Sequence, residues 1–155
     1  MRFILIDEIV DLVPGARIHG VKTLRADEDV FRDHFPGFPV VPGVLLTEMM
    51  AQTAGKCLDA ADRDRGKAML VQIRKATFRR WVRPDEQVDI HAEITSNEAA
   101  YATALCHVDV AGSEVARADL MFSFVPHSQL ASGFRDEVLE RFLRRAALPG
   151  SGSHQ

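Results

Sequence analysis

The chain has 155 residues, with 19 Lys plus Arg against 22 Asp plus Glu and a formal charge of −3. That length suits one domain with a real core, and a composition 46% hydrophobic and 26% charged excludes a fibre, a coiled coil or a wholly disordered chain. The near-neutral charge gives no electrostatic case for nucleic acid, and no apolar run approaches the roughly 18 residues of a membrane span.

The N-terminal stretch meets Asp7 after four apolar residues and shows no signal-peptide pattern. Cys57 and Cys106 form no CxxC pair or disulfide framework, so a reducing cytoplasm is the expected compartment. Residues 3–13 read as a strand or a short helix, Pro14-Gly15 as a turn, and residues 17–24 as a strand. The segment from His34 to Gly43, HFPGFPVVPG, is an apolar loop stiffened by Pro36, Pro39 and Pro42, which donate no backbone hydrogen bonds. Residues 43–60 predict a helix that is apolar almost all round and therefore buried.

The remainder is strand-like. One run covers 68–82, and alternating faces follow at Val88–Ile94, Ala102–Val110 and Ala116–Phe124, which predicts an antiparallel meander. Phe134, Val138, Leu139, Phe142 and Leu143 mark an amphipathic C-terminal helix, for which Ser132 is a suitable cap. Asp136 and Glu137 early and Arg144 and Arg145 late complement its dipole. The expected organisation is an α+β domain over 1–126, a helical extension over 127–148 and a disordered tail over 149–155. A curved antiparallel sheet wraps one long helix.

Glu48 lies in the most apolar helix of the chain. A carboxylate there must be paired, hydrogen-bonded or protonated. Gln52, one turn on, is placed to bond it. His34 opens the proline loop that leads into this helix, so the two side chains are able to converge. Gly43 stands at the helix start, where backbone N–H groups lack internal partners and a ligand can approach closely. A neutral imidazole, a buried carboxyl group and a helix N-terminus suit proton removal beside a carbonyl with loss of a β-hydroxyl group. None of this requires a metal. A structural acid, a satisfied loop histidine and a plain helix-entry glycine are the alternatives.

Weaker candidates exist. His107 and Asp109 share a strand face beside Cys106, but two ligands make a poor metal site and a third is not evident. Residues 74–83, RKATFRRWVR, hold five basic residues and no acid. On a strand, Lys75, Thr77, Arg79, Trp81 and Arg83 share a face that suits an acidic protein or a phosphate, or else a solvated edge.

The stretch HFPGFPVVPGVLLTEMMAQTAG, His34–Gly55, closely resembles the signature of FabZ-type 3-hydroxyacyl-acyl-carrier-protein dehydratases. Lys75–Arg80 with Pro84, Ala116–Phe122, and Phe3–Asp7 with Pro14-Gly15 match further family blocks, so the resemblance spans about residues 3–125. It implies a hotdog fold acting as a homodimer, with a trimer of dimers as a further level. It implies catalysis by His34 of one subunit and Glu48 of the other, with Phe35, Pro42, Gly43 and Gln52 around the substrate. No cofactor is implied beyond the phosphopantetheine arm of an acyl carrier protein, which Lys75, Arg79, Arg80 and Arg83 would dock. Glu at position 48 favours this type over the FabA dehydratase/isomerase, where Asp is usual. The chain departs from the family at Gln72 to Arg74, at Trp81 and in its C-terminal extension. A non-catalytic carrier-binding hotdog module and a hotdog acyl thioesterase are the competing readings.

Overall fold

The structure, a computed structural model, describes residues 1–147. The tail expected over 149–155 lies outside them. Two strands, β1 (Glu8–Val13) and β2 (Arg17–Thr23), come first. A single turn, α1 (Val30–Asp33), and the long α2 (Gly43–Ala61) follow. Next come β3 (Lys67–Phe78), β4 (Gln87–Asn97), β5 (Tyr101–Val110) and β6 (Ser113–Val125). A 3-10 turn (His127–Gln129) leads to α3 (Glu137–Ala147). No helix among the described residues is long and apolar enough to cross a membrane.

The described strands form one antiparallel sheet in the order β1-β2-β4-β5-β6-β3. The chain crosses from β2 to the far edge through α2, which packs against β2, β3, β4, β5 and β6. This is the hotdog arrangement. Alternation on β4, β5 and β6 turns Ile90, Ala104, Val108, Leu120 and Phe122 inward onto Leu46, Met49, Met50 and Leu58 of α2, all buried. Each large apolar side chain so buried contributes roughly 1.5–3 kcal/mol. Val138 and Leu139 of α3 join the same core.

Three expectations shift. The ambiguous first segment is a strand, because its hydrogen bonds go to β2. The run expected to continue to Val82 leaves the sheet after Phe78, with a last backbone bond from Arg79 N–H to Val115 O at 2.8 Å. Val82 is instead buried and its carbonyl accepts from Val41 N–H at 2.7 Å, tying this segment to the proline loop. The C-terminal helix begins at Glu137 rather than near Ser132. Asp136 is its cap, its carboxylate accepting from Leu139 N–H at 3.0 Å.

Strand β3 is an edge, and it is apolar on the outside. Met69, Val71 and Ile73 are exposed along it. Val44, on the neighbouring surface of α2, is 75% exposed despite lying in a helix that reads as fully buried. A long apolar edge with unpaired backbone groups is a template for a second chain.

Candidate active site

The proline loop sets His34. Its imidazole Nδ1 lies 3.0 Å from the Val40 carbonyl oxygen. That oxygen can only accept, so Nδ1 carries a hydrogen, and in the neutral ring the lone pair falls on Nε2. The Phe35 ring stacks on the imidazole at 4.0 Å between centroids. Phe35 and Phe38 exchange backbone hydrogen bonds of 3.0 and 2.9 Å, closing a tight loop through Gly37, whose φ of 75° is the left-handed region. A cavity of about 350 Å³ opens beside the ring, lined by His34, Phe35, Gly43, Leu46, Phe78 and Trp81 among others.

Gly43 is the first residue of α2, and Pro42 before it is the N-cap. The Pro42 carbonyl accepts from Leu45 and Leu46, while Gly43 N–H has no carbonyl one turn back to meet. A Cβ at position 43 would sit 3.2 Å from the Phe78 ring, a tight contact that favours glycine here. The imidazole and the amino end of α2 therefore line one cavity.

Glu48 lines a different one. Gln52 donates from Nε2 to Glu48 Oε1 at 3.0 Å and to Phe3 O at 3.1 Å, and its Oε1 accepts from Leu5 N–H at 2.9 Å. The Gln52 amide is thus locked by the segment before β1 and holds the carboxylate in place. The cavity measures about 680 Å³, with Glu48, Gln52, Lys56, Leu70, Phe122 and Phe134 among its walls. Phe134 comes from the C-terminal extension, which is pinned by a nearly buried Lys56–Asp136 ion pair at 3.1 Å.

Within one chain, then, His34 and Glu48 line different cavities. At about 100° per residue, Glu48 lies about 140° round the helix from Gly43. Val44, Glu48 and Gln52 form one stripe, facing the β3 side, and Gly43 and Leu46 face the proline loop. Nor is Glu48 deeply buried; it is half-exposed along that stripe.

The basic segment also differs from a single strand face, because β3 ends at Phe78 and a register shift falls between Ile73 and Lys75. Lys75 remains on β3. Arg79 pairs with Glu114 at 3.0 Å, and Arg80 with Glu86 at 3.4 Å. The Arg83 guanidinium lies 5.1 Å from the Phe38 ring centroid. Arg80 and Trp81 stand at the His34 cavity.

Both cysteines are buried and their thiols stay protonated. Burial pushes Cys57 up, and pushes Cys106 up to about 12. The pair His107 and Asp109 has a neighbour that sequence spacing does not show: His91, directly opposite His107 on β4. Burial, then the flanking His19 and His107, push the His91 imidazole below its ordinary range.

Residues 1–119 match the FabA-like domain family. The FabZ 3-hydroxyacyl-[acyl-carrier-protein] dehydratase of Syntrophotalea carbinolica is 38% identical over 129 residues, 82% of this chain and 88% of that protein. The FabZ dehydratase of Listeria welshimeri is 35% identical over 122 residues, 78% of this chain and 85% of that protein. Among solved structures, the dehydratase heterocomplex ApeI:P from Xenorhabdus doucetiae superposes with a TM-score of 0.66 at 17% identity, covering 83% of this chain and 87% of that one. The smu.793 protein of Streptococcus mutans, bound to acetyl CoA, does so with a TM-score of 0.65 at 12% identity, covering 81% and 94%. At those identities the two structures bear on the fold alone. The fold, the family match and the curated relatives agree: the chain belongs to the FabA-like family, among its FabZ-type 3-hydroxyacyl-[acyl-carrier-protein] dehydratases.

Proposed function

We propose that the protein dehydrates 3-hydroxyacyl thioesters, carried on acyl carrier protein, to trans-2-enoyl thioesters, at a site shared between two copies of the chain. The observation that carries this reading is the His34 tautomer. With Nδ1–H committed to Val40 O, Nε2 is a base facing the cavity that the amino end of α2 also lines. His34 Nε2 takes a proton from C2 of the substrate. The electron pair moves toward the thioester carbonyl, whose oxygen gains negative charge beside Gly43 N–H, favoured by the helix dipole. The pair then forms the C2–C3 double bond as the C3–O bond breaks. Glu48 gives the departing hydroxyl a proton, and water leaves. The proton on His34 afterwards returns through solvent to the Glu48 carboxylate. No step calls for a cofactor.

Two copies are needed because His34 and Glu48 face different cavities of one chain. The exposed apolar edge of β3, with Val44 beside it, supports a homodimer that brings the Glu48 stripe of one copy to the His34 cavity of the other. Phe134 and Arg135 wall the Glu48 cavity and bound the room for an acyl group.

The test is mass spectrometry of 3-hydroxyacyl carrier protein, over a series of acyl lengths, incubated with the protein. Loss of one water is the expected result. Release of free carrier thiol would instead make the protein a thioesterase, and an unchanged substrate at every length a binding module. The length series also reads how far the acyl group extends past Phe134.

Carrier docking rests on Arg80, which lines the His34 cavity, and Arg83, which lies over Phe38 of its wall, more than on Arg79, which pairs with Glu114 and is not part of that lining. Reversing both, Arg80→Glu with Arg83→Glu, raises KM for the carrier-bound substrate several-fold at low salt, with kcat little changed. The difference from wild type shrinks as ionic strength rises, because screening weakens exposed charge pairs. An equal KM at every salt concentration would move the docking surface elsewhere.

A further inference from the structure

The outer face of the sheet, away from both cavities, carries two parallel rows of ionisable side chains. In one row His19 is opposite His91, His91 opposite His107, and His107 opposite Arg117. In the next row Asp89 is opposite Asp109, and Asp109 opposite Glu114. The imidazoles stack, with centroids 4.2 Å apart for His19 and His91 and 4.6 Å for His91 and His107. Asp109 Oδ2 lies between two of them, 3.6 Å from His91 Nε2 and 3.5 Å from His107 Nε2.

We propose that His91, His107 and Asp109 form a binding site for a divalent transition ion of the zinc class, separate from the dehydration chemistry. The ligand atoms of the three side chains all lie within 4.8 Å of one another. For bonds of about 2.0–2.2 Å, neighbouring ligands around a tetrahedral ion stand about 3.3–3.5 Å apart. The two nitrogen–oxygen separations are already close to that edge. Tilting the nearly parallel rings about their side-chain torsions brings the two Nε2 atoms onto a common ion. Two imidazoles and one carboxylate suit Zn²⁺ and its neighbours better than Mg²⁺ or Ca²⁺, which favour all-oxygen sets.

The surroundings fit a cation with one open position. His19, which hydrogen-bonds Asp89 at 2.8 Å, flanks the site, and a surface cavity of about 630 Å³ leaves room for water as a further ligand. The one adjacent cation of the row, Arg117, is held by Glu114 through hydrogen bonds of 3.0 and 2.6 Å. Cys106 takes no part, because strand alternation turns it into the core. An ion here would cross-link β4 and β5 on their solvent face.

The test is calorimetric titration of the chelator-stripped full chain with Zn²⁺, supported by the visible absorption of Co²⁺. One ion per chain is expected, with a four- or five-coordinate Co²⁺ spectrum. The double variant His91→Gln with His107→Gln removes two of the three ligands and lowers the affinity by more than the roughly 100-fold that loss of an outer-shell partner costs, and Asp109→Asn lowers it less. Dehydratase activity and the circular dichroism spectrum of these variants stay as in wild type. Absence of saturable binding, or affinity undiminished in the double variant, would overturn the site.

Discussion

Replacing His34 with alanine lowers kcat for dehydration by about 10³-fold, within the range that a positioned general base contributes, and leaves the thermal unfolding midpoint nearly unchanged. The two halves of this expectation have separate causes. The imidazole is the one side chain in the proline-loop cavity that can take a proton from carbon, and its tautomer is set by Val40 O. Its structural contribution is small, because it is half-exposed and its side chain makes one hydrogen bond, to the Val40 carbonyl. Such a bond contributes about 1 kcal/mol net. The loop keeps its shape through the paired Phe35 and Phe38 backbone bonds and the Val41–Val82 bond. Single-turnover mass spectrometry gives the rate, and KM serves as the control. A KM close to wild type with a collapsed kcat marks a group that acts in the transition state. Turnover at the wild-type rate would remove His34 from the chemistry.

The candidate residues stand out in the chain, but residue spacing alone does not show that His34 and Glu48 line different cavities of one copy. Three prolines and two glycines within ten residues specify a rigid loop whatever surrounds it, so His34 and Gly43 stand out before any fold is known. The helix after it was also plain from its apolar run. What composition could not show is that one stripe of that helix is open, Val44 to solvent and Glu48 and Gln52 to a cavity walled in part by β3. An almost uniformly apolar helix has no periodicity from which to choose a face. The end of β3 was hidden for a related reason. Alternation continues through Arg79, Trp81 and Arg83, while the chain turns away from β6 after Arg79 and bonds the proline loop through Val82 O and Val41 N–H, which is a tertiary event. Ser132 and Asp136 are both good capping residue types, and only the Leu139 hydrogen bond distinguishes them. His91 escaped notice as the partner of His107 because cross-strand register, with bulges between Ile94 and Ser96 and between Val108 and Asp109, decides which residues face each other.

The second large effect separates a shared site from a site within one chain. Glu48→Gln retains the side-chain volume and still offers Gln52 an oxygen to bond, so the helix stripe keeps its geometry. It removes the group proposed to protonate the leaving hydroxyl. The expected loss in kcat is about 10²-fold or more, with KM near wild type. Wild-type turnover in this variant would make the carboxyl group structural. Mixing the two inactive proteins carries the argument further. If each site takes His34 from one copy and Glu48 from the other, a heterodimer of the His34→Ala and Glu48→Gln chains holds one site with both groups intact and one with neither. Random exchange makes about half of the dimers mixed, each with one working site of two, so activity returns to about a quarter of wild type. If both groups served within a single chain, every site in the mixture would lack one of them and mixing would restore nothing. The placement of the two residues in different cavities, with Glu48 about 140° round α2 from Gly43 of the His34 cavity, argues for recovery, and the exposed apolar edge of β3 is the surface proposed to join the copies.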